Sequence, residues 1–281
     1  MIVVLKSLIL KKGRIMISIK KNSKGMKQEA TGRRKRASSI YARGQNEPFK
    51  ISRSKFLDFL KCKRCFFLDR VKGLQEPGMP GWSLNTACDE LLKKEFDIYR
   101  EQQQPHQIMS DNGYNFIPFD HEDINLWRNS LKGGISYHDA ESNIILFGGV
   151  DDIWLDRDTE EMVVVDYKAQ SSRVEVTTES YLENHFHEDY KKQMDVYVHI
   201  LRKMGHKVSP RTFFLVVNAS KEADRFNSRL SFSSTLVPYN ADSNWIDNEI
   251  VNFKETLDSN NVPERNPCCE NCAYIEQGAQ I

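Results

Sequence analysis

The chain has 281 residues, of which 40% are apolar and 28% charged, with a formal net charge of +1. That composition suits one sizeable α/β or α+β domain with an appendage and excludes a low-complexity or collagen-like chain. No run reaches the roughly 18 apolar residues of a membrane span, so a cytoplasmic protein without membrane association is expected.

The charge is unevenly placed. Residues 1–44 hold 13 Lys/Arg and one acid, Glu29, a net of +12, which leaves −11 on the remainder. A segment so basic and so poor in aromatic residues reads as a disordered tail, and a border is expected near residue 48, with tail 1–48 and domain 49–281. The tail is either a solvated leader, with Met16 and Met26 as later candidate starts, or a phosphate-binding arm. Its apolar opening, residues 2–10, is interrupted by Lys6 and lacks a small-residue cleavage pattern.

Beyond the border, Ser52 precedes apolar residues at Phe56, Leu57, Phe59 and Leu60, which predicts a capped helix over 52–69 running into a cysteine pair. Residues 73–82 read as a turn-rich loop. Leu84, Ala87, Leu91, Leu92, Phe96 and Tyr99 fall near helical spacing and predict an amphipathic helix over 83–100. Residues 101–119 carry little signal, and a short helix is expected over 120–131. Strands are predicted at 135–138, 144–155 and 162–168, with a hairpin turn at 156–161. A helix over 188–205, a buried strand at 213–218, a strand near 231–239 and a helix over 244–257 complete the domain.

The strand VVVDYK (163–168) ends in two charges. Residues i and i+2 of a strand share a face, so Asp166 and Lys168 lie side by side. The preceding strand carries Asp151 and would pair with this one through the hairpin. Paired carboxylates repel unless a cation neutralises them. A hard divalent ion such as Mg²⁺ or Mn²⁺ is the usual answer, acting as a Lewis acid. Lys168 would then orient the attacking water or balance charge on a phosphate. Taken singly, each residue also has a plain explanation: a strand-end ion pair, a turn aspartate, a core tyrosine.

Taken together, Gly148 to Asp151, Asp166 to Lys168, and Gln193 with Tyr197 one helical turn on resemble the PD-(D/E)xK nuclease superfamily, RecB-type branch. The resemblance covers roughly residues 50–275 and implies a restriction-endonuclease-like αβββαβ core, an α/β fold with a mixed central sheet flanked by helices. It implies that Asp151, Asp166 and the Tyr167 carbonyl bind the metal, that Lys168 is catalytic, and that Gln193 and Tyr197 lie beside the centre and the DNA. Where such relatives carry a histidine on the helix before the sheet, this chain has Asp89, with Glu95 as the alternative.

The cysteine pairs CKRC (62–65) and CENC (269–272) flank the core. In a cytoplasmic chain such pairs more often bind metal than form disulfides, and four thiolates hold zinc or a [4Fe–4S] cluster. They also resemble the N- and C-terminal cysteines that clamp an iron–sulfur cluster in CRISPR-associated and AddB-like nucleases. Those relatives place a third C-terminal cysteine where this chain has Gly278, so Cys65 is expected as the fourth ligand beside Cys62, Cys269 and Cys272, with Cys268 in competition. Cys88 reads as core, and His185 and His187 as loop residues. The expected function is a metal-dependent DNA nuclease, either exonuclease or endonuclease, in DNA repair, recombination or defence beside a helicase or similar partner. The alternative is a catalytically silent nucleic-acid-binding or assembly protein on the same fold.

Overall fold

The computed structural model describes residues 18–78, 81 and 83–281. The apolar opening, the Lys11–Lys12 pair and Met16 lie outside them. In chain order the elements are β1 (Phe49–Ser52), α1 (Arg53–Lys61), α2 (Lys63–Arg70), α3 (Ser83–Gln102), α4 (Gln107–Asp111), β2 (Phe116–Pro118), α5 (Ile124–Trp127), β3 (Ile135–Asp139), β4 (Ile144–Gly148), β5 (Asp152–Asp156), β6 (Glu161–Gln170), α6 (Thr178–Leu182), α7 (Glu188–Lys203), β7 (Arg211–Ala219), β8 (Phe232–Asn240), α8 (Ile246–Asp258) and α9 (Glu270–Gly278). Short 3₁₀ turns sit at Ala37–Ser39 and His185–His187.

The fold is α/β, with mixed sheets and helices on their faces. Instead of the single central sheet expected, the strands form two sheets, ordered β2-β5-β6-β7-β8 and β1-β4-β3. In the larger one β6 is antiparallel to β5 and parallel to β7. The strand predicted at 144–155 is interrupted: β4 belongs to the small sheet and β5 to the large one, and Gly149, Val150 and Asp151 make the crossing. A Cβ at Gly149 would stand 3.0 Å from the Ser130 nitrogen and 3.1 Å from the Arg128 carbonyl oxygen, so the close passage of that backbone requires glycine.

Alternation along β6 divides the core in two. Val163, Val165 and Tyr167 pack with Phe96, Trp154, Phe213 and Leu215 on one face. Val164 packs on the other with Phe214, Val216 and the α7 residues Met194, Val196 and Ile200. Burying such side chains contributes roughly 1.5–3 kcal/mol each before chain entropy is counted. Asp166 and Lys168 continue the Val164 side, toward α7.

The helix predicted over 52–69 divides at Cys62, whose φ of −155° and ψ of 101° are extended. Phe56, Phe59 and Phe66 from its two halves meet Phe253 of α8 at ring-centroid distances of 4.8–5.8 Å. In α3 only Phe96 and Arg100 are fully buried, while Leu84 and Leu91 are exposed. The segment 101–119, read as featureless, contains α4 and β2.

Contacts cross the border expected at residue 48. Arg34 pairs with the buried Asp69, its backbone N–H donates to the Gly73 carbonyl at 2.8 Å, and the buried Tyr41 donates its hydroxyl to Asp258 at 2.6 Å.

Asp195 of α7 is buried and accepts hydrogen bonds from Tyr239 Oη at 3.0 Å, the Asp242 N–H at 3.1 Å and Trp245 Nε1 at 3.2 Å. Burial outweighs these donors and raises its carboxyl to about 6. Because the folded-state value lies above the unfolded one near 3.9, this group's contribution to stability is complete below about pH 4 and is lost as pH rises through about 6. Asp195→Asn should therefore reduce the fall in melting temperature between pH 4 and 7. An unchanged pH profile would count against the burial argument.

Candidate active site

The large sheet brings the charged residues to one place, the C-terminal end of β6. Pairing with β5 stops at Val165, opposite Asp152, so beyond that point the β5-side edge of β6 is free. The Tyr167 N–H uses that edge and donates to Asp151 Oδ2 at 2.9 Å. N–H and C=O of one strand residue leave on the same side, so the Tyr167 carbonyl also faces Asp151. The break between β4 and β5 thus turns Asp151 toward the open end of β6.

Asp166 is 1% exposed; Lys168 Nζ and Gln193 Nε2 both donate to its carboxylate. Burial pushes the Asp166 carboxyl up to about 7, Lys168 opposes that rise, and Asp151 adds to it. Burial lowers Lys168, but Asp166 and Asp151 outweigh it and hold the ammonium above its usual range. Lys168 Nζ also lies 4.6 Å from the centre of the Tyr190 ring, a cation–π contact.

Asp89 reaches the same cleft from α3. The cleft has a volume of about 340 Å³, and Asn85, Asp89, Asp151, Tyr167, Lys168 and Tyr190 are among the residues lining it. Asn85 Nδ2 donates to the Ala169 carbonyl at 3.2 Å, which ties the start of α3 to the end of β6. Asp89 Oδ2 accepts from Lys93 Nζ at 2.8 Å, and the same ammonium is 3.8 Å from Asp151 Oδ1. The other Asp89 oxygen, Oδ1, is buried without a hydrogen-bond partner. Burial first, and Asp151 next, raise the Asp89 carboxyl. An orphaned carboxylate oxygen in a cleft with a second carboxylate, Asp151, suits a hard cation. Glu95, the alternative, pairs instead with His106 Nε2 at 2.8 Å.

Tyr197 is buried against Gly148: a Cβ at Gly148 would stand 2.7 Å from Tyr197 Cε1, so the two motif residues require each other sterically. Arg53 Nη2 donates to the Tyr197 hydroxyl at 3.3 Å. Burial raises that hydroxyl to about 12, with Arg53 opposing.

Behind the cleft, the neighbouring Asp152 is 0% exposed. It accepts from Arg100, from Arg128 Nη2 at 2.7 Å, from Tyr167 Oη at 2.8 Å and from Trp154 Nε1 at 3.3 Å. Tyr167 is thereby held at both ends, its N–H by Asp151 and its hydroxyl by Asp152.

Sequence reasoning brought Asp89, Asp151, Asp166, Tyr167, Lys168, Gln193 and Tyr197 into the argument and missed Lys93, Tyr190, Arg53 and the Asp152 pair of arginines. Lys93 was legible as the i+4 neighbour of Asp89; Tyr190 and Arg53 leave no local signal. Cys88, expected in the core, is half-buried in the cleft wall.

The cysteines converge elsewhere. Cys62, Cys65, Cys269 and Cys272 place their Sγ atoms within 4.8 Å of one another, the one His/Cys/Asp/Glu cluster so tight among the described residues. Separations are 3.3 Å for Cys65–Cys272, 3.5 Å for Cys65–Cys269 and 3.7 Å for Cys62–Cys272. Cys268 is exposed and outside the cluster. Burial pushes the Cys62 thiol up, but hydrogen bonds from the Asn266 and Cys65 backbone and neighbouring thiols bring it down to about 7. Burial raises Cys272 to about 11.

A profile of the PD-(D/E)XK nuclease superfamily matches residues 84–277. The chain belongs to that superfamily. Among solved structures it is similar to "Putative exonuclease" from Eubacterium rectale, with 13% identity over 80% of this chain and 87% of that one and a TM-score of 0.38. No curated protein matches. Among the described residues no helix is long and apolar enough to cross a membrane.

Proposed function

We propose that this nuclease is a divalent-metal-dependent deoxyribonuclease of the RecB-type branch. The observation that carries the reading is the convergence of Asp89, Asp151 and Lys168 on one cleft at the end of β6, with the buried Asp166 paired to Lys168 behind it. Asp89, Asp151, Asp166 and the Tyr167 carbonyl are the oxygen donors for Mg²⁺ or Mn²⁺, and the unpartnered Asp89 Oδ1 supports that assignment. When bound, such an ion supplies Lewis acidity against the phosphate. Gln193 orients Asp166. Lys168 holds its charge beside that carboxylate, where it orients the attacking water and balances negative charge on the phosphate. Tyr197, held by Arg53 and packed against Gly148, is buried one helical turn from Gln193. A role in DNA repair, recombination or defence, in the cytoplasm and beside a helicase or similar partner, follows from the RecB-type resemblance alone.

At the cysteine cluster we place one zinc ion rather than [4Fe–4S]. Four thiolates about 2.3 Å from a tetrahedral ion stand about 3.8 Å apart; three of the Sγ separations are 3.3–3.7 Å and all lie within 4.8 Å, nearer that value. A four-iron cubane would set them roughly 6 Å apart, because its irons lie between them.

The test is digestion of single-stranded, duplex and circular DNA, and of RNA, with and without Mg²⁺ or Mn²⁺. Ion-dependent cutting of DNA is expected. Ion-independent cutting, or cutting of RNA alone, would replace the reading.

The ammonium of Lys93 lies between Asp89 and Asp151, on the ground a divalent ion would take. Lys93→Met should therefore tighten Mn²⁺ binding, measured by calorimetric titration, by roughly threefold or more. Weaker binding in the variant would mean that Lys93 organises the carboxylates rather than competing for them.

A further inference from the structure

A second cleft, of about 300 Å³, begins two residues beyond Lys168 on β6. Gln170, Glu175, Tyr181, Glu183, Asn184 and His187 are among its lining residues. Rings lead to it from the catalytic lysine: Lys168 Nζ faces Tyr190, Tyr190 stacks on His187 at 5.4 Å, and His187 lies 4.0 Å from Tyr181. Tyr181 is 2% exposed and its hydroxyl is buried with no hydrogen-bond partner. A buried hydroxyl is costly to leave unpaired. Between the lining residues Asn184 and His187 in sequence, Phe186 is 75% exposed, its ring 3.9 Å from that of His185.

That exposed ring sits on a fixed turn. The Asn184 side chain accepts from the Phe186 N–H at 3.0 Å, and His187 Nδ1 donates to the Tyr181 carbonyl at 2.9 Å. The volume lies at the small end of the range for ligand clefts. Two carboxylates, Glu175 and Glu183, make it unsuitable for a phosphate. The same carboxylates, with the amides of Gln170 and Asn184, offer acceptors and donors for the edge of a heterocycle, and the exposed Phe186 ring offers a stacking face.

We propose that this second cleft is a nucleobase subsite, which takes one unstacked base of the substrate strand while the phosphate beside it lies at Lys168. The substrate is then a single strand or a frayed end, since a paired and stacked base presents neither its face nor its pairing edge. The proposal rests on the nuclease reading above and adds the form of DNA that the site accepts.

The experiment walks one abasic position along a short single-stranded oligodeoxynucleotide and measures kcat and KM for Mg²⁺-dependent cleavage. The parent protein should show one position, fixed relative to the cut, at which loss of the base raises KM roughly tenfold. Phe186→Ala, at an exposed position, and Tyr181→Phe, which keeps the ring, should each raise KM on the intact strand and flatten the profile. Cleavage with an even profile in the parent overturns the subsite and leaves the nuclease reading standing. An unaltered profile in both variants also overturns it. No cleavage of any DNA with Mg²⁺ or Mn²⁺ overturns both.

Discussion

Asp166→Asn is expected to lower Mg²⁺- or Mn²⁺-dependent DNA cleavage by roughly a thousandfold while the protein remains folded. The substitution preserves the shape of a 1%-exposed side chain and keeps an oxygen for the Gln193 donor, while it removes the charge and the acceptor that faces Lys168. Lys168→Ala should cause a loss of similar size for another reason. It leaves three carboxylates with one ammonium fewer, so Mn²⁺ binding persists or tightens while turnover falls. Circular dichroism and Mn²⁺ calorimetry beside the digestion assay separate the two cases. If both variants cut DNA at the parental rate, the end of β6 is not the site of chemistry.

Cys269→Ser is expected to lower the melting temperature by about 10 °C and to remove the bound metal with it. The cluster joins residues 210 apart in sequence, Cys62 and Cys272, and closing so long a loop takes conformational freedom from the unfolded chain. Losing about 4 kcal/mol of ion binding coupled to folding corresponds to a shift of that order in a chain of this size. The parent should be colourless, with one zinc per chain by elemental analysis. A brown protein absorbing in the visible would restore the iron–sulfur assignment, and a parent with neither metal would remove the cysteines as ligands. Because the cluster does not share residues with the carboxylate cleft, cleavage by Cys269→Ser well below its melting temperature should remain.

Local pattern carried much of this. The valine run and the charges that follow it marked β6, observed as Glu161–Gln170, and the apolar spacing of α7 put Gln193 and Tyr197 on adjacent turns. What pattern did not carry was pairing between distant segments. β1 is only four residues long and gains its identity from parallel pairing with β4, nearly a hundred residues away. At the strand break Gly149 passes close to the backbone of residues 128–130, which no window around it contains. The choice of Cys65 over Cys268 has a similar origin. Cys269 caps α9 and Cys272 lies within its first turn, which leaves Cys268 outside the helix and exposed. Glu95 and Asp89, on one helix, were separated only by what each faces in space: His106 for the first, the cleft for the second.

The adjacent aspartates at 151 and 152 have opposite surroundings, one beside the open cleft and one beneath two guanidinium groups. A one-residue slip of β5 against β6 would turn every side chain of the strand over. It would drive Trp154 into the other core, where Ile153 sits, and leave Arg100 and Arg128 in the interior without their carboxylate, a loss on the order of 3–5 kcal/mol for a broken buried pair. The arginines do not line the cleft, yet they make misthreading of the hairpin expensive. Accuracy in the placement of Asp151 is thus secured by an error-checking contact on the far side of the sheet.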